Sequence, residues 1–225
     1  MQPVRPELLS NVPETILEFN SLYDSFFGGH SLWEENHQHF GNRLLAYHCM
    51  QNFQEFWGAV DFILNRYENK SLNFLEIGAA RGLWPFMLHT FASAYNIDLK
   101  YTTITMMSDT DYINNGAFDL LRKVKTIYSP DKFTLIDNDS RNRDNLSKLD
   151  SSYDIVYIDG CHEYDCVMSD IRLYSPLATD IVMFHDIRPK TNEVYRAIKD
   201  SDVTIHKEFV MNELIMGIGM HFTNE

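Results

Sequence analysis

Residues 73–95, NFLEIGAARGLWPFMLHTFASAY, decide how this chain folds. Asn73 to Ile77 form a short apolar run broken by a single acid, Glu76. A turn follows, Gly78-Ala79-Ala80-Arg81-Gly82, and then apolar residues from Leu83 to Tyr95 at helical spacing. Gly78 permits a tight turn and close backbone approach, and Gly82 lets a helix begin near a sheet. Pro85 falls in the first helical turn, where a missing N–H costs little. A strand that passes through a glycine turn into a helix is the opening unit of a doubly wound α/β fold, whose ligands sit at that turn.

Toward the carboxyl terminus the same alternation continues. The pattern predicts strands over Tyr101–Met107, Phe133–Ile136, Tyr153–Ile158 and Asp180–Phe184, with helices over Tyr112–Ile127 and about Tyr164–Leu173. Short apolar strands separated by helices imply a parallel sheet covered on both faces. Val203–Val210 and Leu214–Phe222, separated by Met211, Asn212 and Glu213, read as a hairpin-like pair at a sheet edge. The expected fold is α/β, a doubly wound, mostly parallel seven-stranded sheet with an antiparallel last strand.

Toward the amino terminus, Leu44, Leu45, Tyr47, Cys49, Phe53, Phe56, Trp57, Val60, Ile63 and Leu64 recur mostly at steps of three or four, which predicts a helix from Asn42 to Tyr67. Pro13 to Phe27 also reads as helical, ended by Gly28 and Gly29. The division expected is an amino-terminal helical cap or lid over residues 1–70 and a core over 71–225, one domain overall. His30, Trp33, His37 and His39 mark either a lid or a surface loop packed by its own aromatics.

Composition narrows the function. A chain of 225 residues with 44% hydrophobic content supports one sizeable core. No stretch approaches the roughly 18 apolar residues of a membrane helix, and Met1 to Pro13 lacks the pattern of a secretory signal, so a cytoplasmic protein is expected. A net charge of −13 excludes nucleic acid as a partner. Cys49, Cys161 and Cys166 show neither a disulfide framework nor zinc-ligand spacing.

Two strand ends carry chemistry. Asp159 closes the strand Tyr153–Ile158, with His162 three residues later, and His185-Asp186 close the next strand. Strand ends converge in an open α/β sheet, and several acids buried together call for a cation, which hard divalent ions supply. Asp159 as a helix cap and His185 as a packing residue are the competing readings. His162, neutral near physiological pH in its ordinary state, suits a general base or simply a helix start. Arg188 and Lys190 either meet an anionic substrate or are solvated.

The segment Glu76-Ile77-Gly78-Ala79-Ala80-Arg81-Gly82 resembles the first motif of class I S-adenosylmethionine-dependent methyltransferases, with Ala80 in place of a frequent middle glycine. The resemblance implies S-adenosylmethionine as cofactor, held by Glu76, Gly78, Ala79, Arg81 and Gly82, with Glu76 near the methionine part. The acid that usually ends the second strand and binds the ribose is missing from Thr103-Ile104-Thr105-Met106-Met107-Ser108-Asp109, leaving Thr105 or Ser108. Asp137-Asn138-Asp139-Ser140 resembles the segment on the adenine side, so Asp139 and Ser140 are candidates, although a polar Asx-rich turn reads the same way. Asp159 borders both cofactor and metal.

From Asn73 to Pro189 the chain is similar to metal-dependent small-molecule O-methyltransferases, in particular the macrocin O-methyltransferase and cephalosporin hydroxylase-like group. That likeness implies a Mg2+ or Mn2+ site at Asp159, His185 and Asp186, His162 as base, and a hydroxyl of a small molecule or sugar as acceptor. His185 stands where some relatives carry an acid, which fits either a softer ion such as manganese or a position beside the metal. A hydroxylase-like relative or a non-catalytic cofactor-binding protein would share these motifs. The oligomeric state stays open, a homo-oligomer included.

Overall fold

The computed structural model describes residues 43–44, 51–80, 82–107, 117–189, 192–210 and 217–225. Seven strands form one sheet: β1 (Ser71–Ile77), β2 (Asp98–Thr105), β3 (Phe133–Asp137), β4 (Tyr153–Ile158), β5 (Ala178–His185), β6 (Lys207–Phe209) and β7 (Ile218–Phe222). Their spatial order is β3-β2-β1-β4-β5-β7-β6. The first five are parallel, and β7 runs antiparallel to both β5 and β6. This is the expected Rossmann-like sheet with its antiparallel last strand. The order reverses between β1 and β4, where Ile77 lies opposite Ile158, and such a reversal opens a crevice beyond the carboxyl ends of the strands.

Helices α1 (Phe53–Arg66), α2 (Leu83–Ala92), α3 (Ala117–Lys125), α4 (Tyr164–Tyr174) and α5 (Asn192–Asp200) supply the outer layers. Side chains alternate across each strand. Leu72 and Phe74 of β1, Ile155 and Tyr157 of β4, and Ile181 and Met183 of β5 join α1, α2 and α3 in one apolar cluster. Leu75, Ile77, Val156, Ile158, Val182 and Phe184 join α4 and α5 in the other. Phe56, Val60 and Ile63 of α1 are fully buried, each contributing roughly 1.5–3 kcal/mol. At the far end of the sheet Arg66 donates from Nε and Nη2 to Asp180 of β5, at 2.6 and 2.5 Å, and Tyr67 donates to the same carboxylate at 2.6 Å.

Several predicted boundaries move. The helix predicted from Asn42 begins at Phe53, because Arg43–Leu44 pairs with Gln51–Asn52 as a short antiparallel ladder. Backbone pairing there overrides a pattern in which Leu45, Tyr47 and Cys49 already follow a period of two. α5 is a helix the sequence reading did not assign; Val194, Ala197 and Ile198 are its buried stripe. The predicted strand over Val203–Val210 shortens to β6, and that over Leu214–Phe222 to β7, with 211–216 outside the described residues. The segments from Pro13 to Phe27 and from His30 to His39 also lie outside them. Among the described residues no helix is long and apolar enough to cross a membrane.

Candidate active site

The glycine turn after β1 and the turn after β4 meet backbone to backbone. Gly78 has φ of 94°, a region open to glycine and strained for other residues. A Cβ built on it would lie 2.2 Å from the Asp159 carbonyl oxygen and 2.5 Å from Gly160 Cα. Gly78 N–H donates to the Ile104 carbonyl at 2.9 Å, and Asp159 N–H to the Ile77 carbonyl at 2.9 Å, so three strand ends are tied together. Ala79 is buried beneath the turn. Gly82, φ 81°, makes room for α3: a Cβ there would meet Leu121 Cδ1 at 3.0 Å and Val124 Cγ2 at 3.1 Å. Arg81, Ser108 and Lys190 lie outside the described residues.

Glu76 is buried, and its Oε2 accepts a hydrogen bond from Tyr101 at 2.9 Å. Burial pushes its carboxyl well above the ordinary range, the Tyr101 hydroxyl opposes this, and the Asp159 charge adds to it. Its raised pKa means that folding is penalised once pH climbs above the unfolded value near 4.5. Glu76→Gln should therefore fold with equal or greater stability at pH 7 while S-adenosylmethionine binds more weakly, read by thermal denaturation and calorimetry side by side. Unchanged binding would show that Glu76 serves packing alone.

At the ends of β4 and β5 five side chains gather. Tyr157 Oη donates to Asp159 Oδ2 at 2.9 Å. Asp159 Oδ1 lies 3.2 Å from His185 Nδ1 and 3.8 Å from His162 Nε2. Asp186 Oδ2 lies 3.1 Å from His162 Nε2, and its Oδ1 lies 3.7 Å from His185 Nδ1. Asp186 reaches this position from a left-handed backbone, φ 59°. Burial disfavours the Asp159 charge, but the pull of His185 and contacts from both histidines outweigh it and hold the carboxyl well below its usual range. His185 is buried, which lowers its pKa, yet Asp159 and then Asp186 push it up to about 9. Contacts to Asp159 and Asp186 push His162 up to about 10; solvent at its half-exposed ring screens part of this without changing the direction. Asp159, His162, His185 and Asp186 are thus brought together as the sequence suggested.

The far side of the crevice is knitted more tightly than the sequence shows. Asp139 accepts from Arg141 Nη2 at 2.6 Å and from Arg141 N–H at 2.9 Å, which holds its carboxyl below the ordinary range. Its neighbour Ser140 accepts at its carbonyl from the Tyr174 hydroxyl. Asn145, fully buried, donates to the Asp139 carbonyl at 2.8 Å and accepts from Asn138 at 2.8 Å. These contacts make the Asp139–Ser140 segment a self-bonded polar turn. Thr105 is half-buried and lies opposite Asp137, whose Oδ1 accepts from Met107 N–H at 2.8 Å. An acid therefore stands beside the second strand's end, on its neighbour. Asp170 of α4, fully buried below Gly160, has a carboxyl that burial pushes up to about 6. Arg188 pairs with Glu208 at 2.7 Å.

Sequence reasoning missed Tyr101, Tyr157, Arg141, Asn145 and Asp170. The buried tyrosines follow from strand alternation once neighbours are known, whereas the loop contacts carry no periodic signal.

Comparison with known proteins agrees with this architecture. Residues 75–187, just over half the chain, match a methyltransferase domain family. No curated protein matches the sequence. Among solved structures, an O-methyltransferase from Bacillus cereus in complex with SAH superposes with a TM-score of 0.54 at 11% identity, covering 96% of this chain and 93% of that one. A TDP-rhamnose 3'-O-methyltransferase of calicheamicin biosynthesis gives 0.54 at 13% identity over 96% and 97% of the two chains. At such identity these two establish the shared fold. The family match adds the activity: the chain belongs to the methyltransferase domain family and is an S-adenosylmethionine-dependent methyltransferase on a Rossmann-like sheet.

Proposed function

We propose that this protein transfers the methyl group to a hydroxyl of a small molecule or sugar with the help of a divalent ion, Mg2+ or Mn2+. The observation that supports this reading is the gathering of Asp159, His162, His185 and Asp186 within 3.1–3.8 Å contacts beside the Gly78 turn. S-adenosylmethionine supplies an electrophilic methyl on a sulfonium. Glu76 and the Gly78 turn would hold it, beside the Asp159 turn that Gly78 packs against.

The donor set fits a hard or borderline ion. Carboxylates from Asp159 and Asp186 are its natural ligands, and His185 adds an imidazole that suits Mn2+ better than Mg2+. The ring nitrogen on the carboxylate side is His185 Nδ1, 3.2 Å from Asp159 and 3.7 Å from Asp186, and it could ligate an ion once its proton is displaced. Charge decides the role of His162. Held between two carboxylates it carries a proton near neutral pH and cannot accept another. A cation on Asp159 and Asp186 would release that hold and let His162 take the acceptor's hydroxyl proton, at a step commonly worth 10²–10⁴-fold in rate.

Calorimetric titration with S-adenosylmethionine and S-adenosylhomocysteine, with and without Mn2+, tests both parts. Both ligands should bind, and turnover with hydroxyl acceptors should require the ion. Binding of neither ligand overturns the assignment of the crevice, and full turnover in excess chelator overturns the metal.

A further inference from the structure

Three side chains outside the crevice point at a common position. Cys161 lies in the loop after β4, Glu163 immediately precedes α4, and Cys166 belongs to its first turn. Their two sulfurs and a carboxylate oxygen all lie within 4.8 Å of one another, with Cys161 and Glu163 exposed and Cys166 buried. Both cysteines are free thiols. Glu163 occupies the cap position of α4 but makes no side-chain cap bond there, so its carboxylate is not spent on the orphan amides of the helix start, the usual work of a residue in that place.

We propose that Cys161, Glu163 and Cys166 form a site for a thiophilic divalent cation of the zinc type, with a fourth position left to water. The geometry suits it. Zinc–sulfur bonds of about 2.3 Å and zinc–oxygen bonds of about 2.0–2.2 Å place ligand atoms of a tetrahedron roughly 3.5–3.8 Å apart. The separations among the three ligand atoms, all within 4.8 Å, lie close to that range. A carboxylate converging on two sulfurs favours a cation over a disulfide, which has no use for it. Two thiols also separate this site from the crevice by softness: sulfur selects zinc-like ions, while the oxygen-rich set of Asp159 and Asp186 suits magnesium-like ones. The spacing from Cys161 to Cys166 differs from familiar zinc patterns because it spans a loop and a helical turn, and folding supplies the proximity. An ion here would pin the loop that carries Asp159 and His162 to the first turn of α4.

Cobalt substitution tests the site independently of the crevice, because thiolate-to-cobalt charge transfer is blind to ions held by oxygen and nitrogen. Adding Co2+ to the full-length reduced protein should produce that near-ultraviolet absorption, saturating at a single equivalent and bleached by Zn2+. Cys161→Ser, at an exposed position, should abolish it. Glu163→Ala should weaken Co2+ binding on the order of tenfold or more, the loss that even outer-shell partners cause. Asp186→Ala and Cys49→Ser should leave it intact. Absence of the band, its survival in Cys161→Ser, or its loss in Cys49→Ser would overturn the proposal. So would thiols that merely oxidise together to a disulfide and hold no Co2+ when reduced.

Discussion

Gly78→Ala is expected to abolish cofactor binding and to destabilise the protein by roughly 1–3 kcal/mol. Two independent obstacles meet at this residue. Its φ of 94° is one that alanine adopts only under strain, and the added Cβ would stand 2.2 Å from the Asp159 carbonyl oxygen. The obstructing atoms are backbone, so no change of rotamer relieves the clash and the β1 turn must retreat from the β4 turn. That retreat stretches the bonds from Gly78 N–H to Ile104 and from Asp159 N–H to Ile77, and it displaces the turn proposed to hold the cofactor. A loss of about 2.7 kcal/mol in binding corresponds to roughly a hundredfold in Kd, and the effect should be at least that large. Gly82→Ala provides the comparison. There the contacts are side-chain tips of Leu121 and Val124 at 3.0 Å or more, so a milder loss follows. Calorimetry of both variants checks the order, and a Gly78→Ala protein that binds S-adenosylmethionine normally would sink this account of the turn.

Asp159→Ala should lower turnover on the order of a hundredfold or more, the low end of what His162 would supply as base and would lose with the proposed ion site, and should cost about 3–5 kcal/mol of stability in chelator, as expected when one partner of a buried ion pair is removed. The stability loss carries a pH signature. His185, whose folded pKa is raised to about 9, contributes stability in full below its unfolded value near 6.5 and loses it as pH climbs toward 9. Asp159, whose folded pKa is depressed, contributes above its unfolded value near 3.8 and loses that contribution as pH falls. The gap between wild type and variant should therefore be widest from about pH 4 to 6.5 and narrow toward pH 9. Denaturant unfolding across this range measures it. A gap that stays constant to pH 9 would mean that Asp159 is not held by imidazolium.

The parallel core was legible because buried strands are short apolar runs, and those at Tyr153–Ile158 and Asp180–Phe184 have few other readings. Once the strands were placed, topology alone brought Asp159, His185 and Asp186 to one edge, since parallel strands share their carboxyl ends. Helix α5 escaped notice because only Val194, Ala197 and Ile198 mark its buried stripe among polar residues. Tyr101 and Tyr157 bond to Glu76 and Asp159 through positions fixed by packing between strands and helices, which spacing does not reveal. The same limit applies to Cys161 and Cys166, apart in sequence by an interval that suggests no metal site until the loop and helix turn are built.

Asp186 holds its carboxylate in the crevice from a backbone conformation that L-residues adopt at a cost of roughly 1–2 kcal/mol. Glycine would sit there without strain and would contribute nothing to the gathering of charges. On the role proposed for Asp186, stability and activity make opposite demands on this single position.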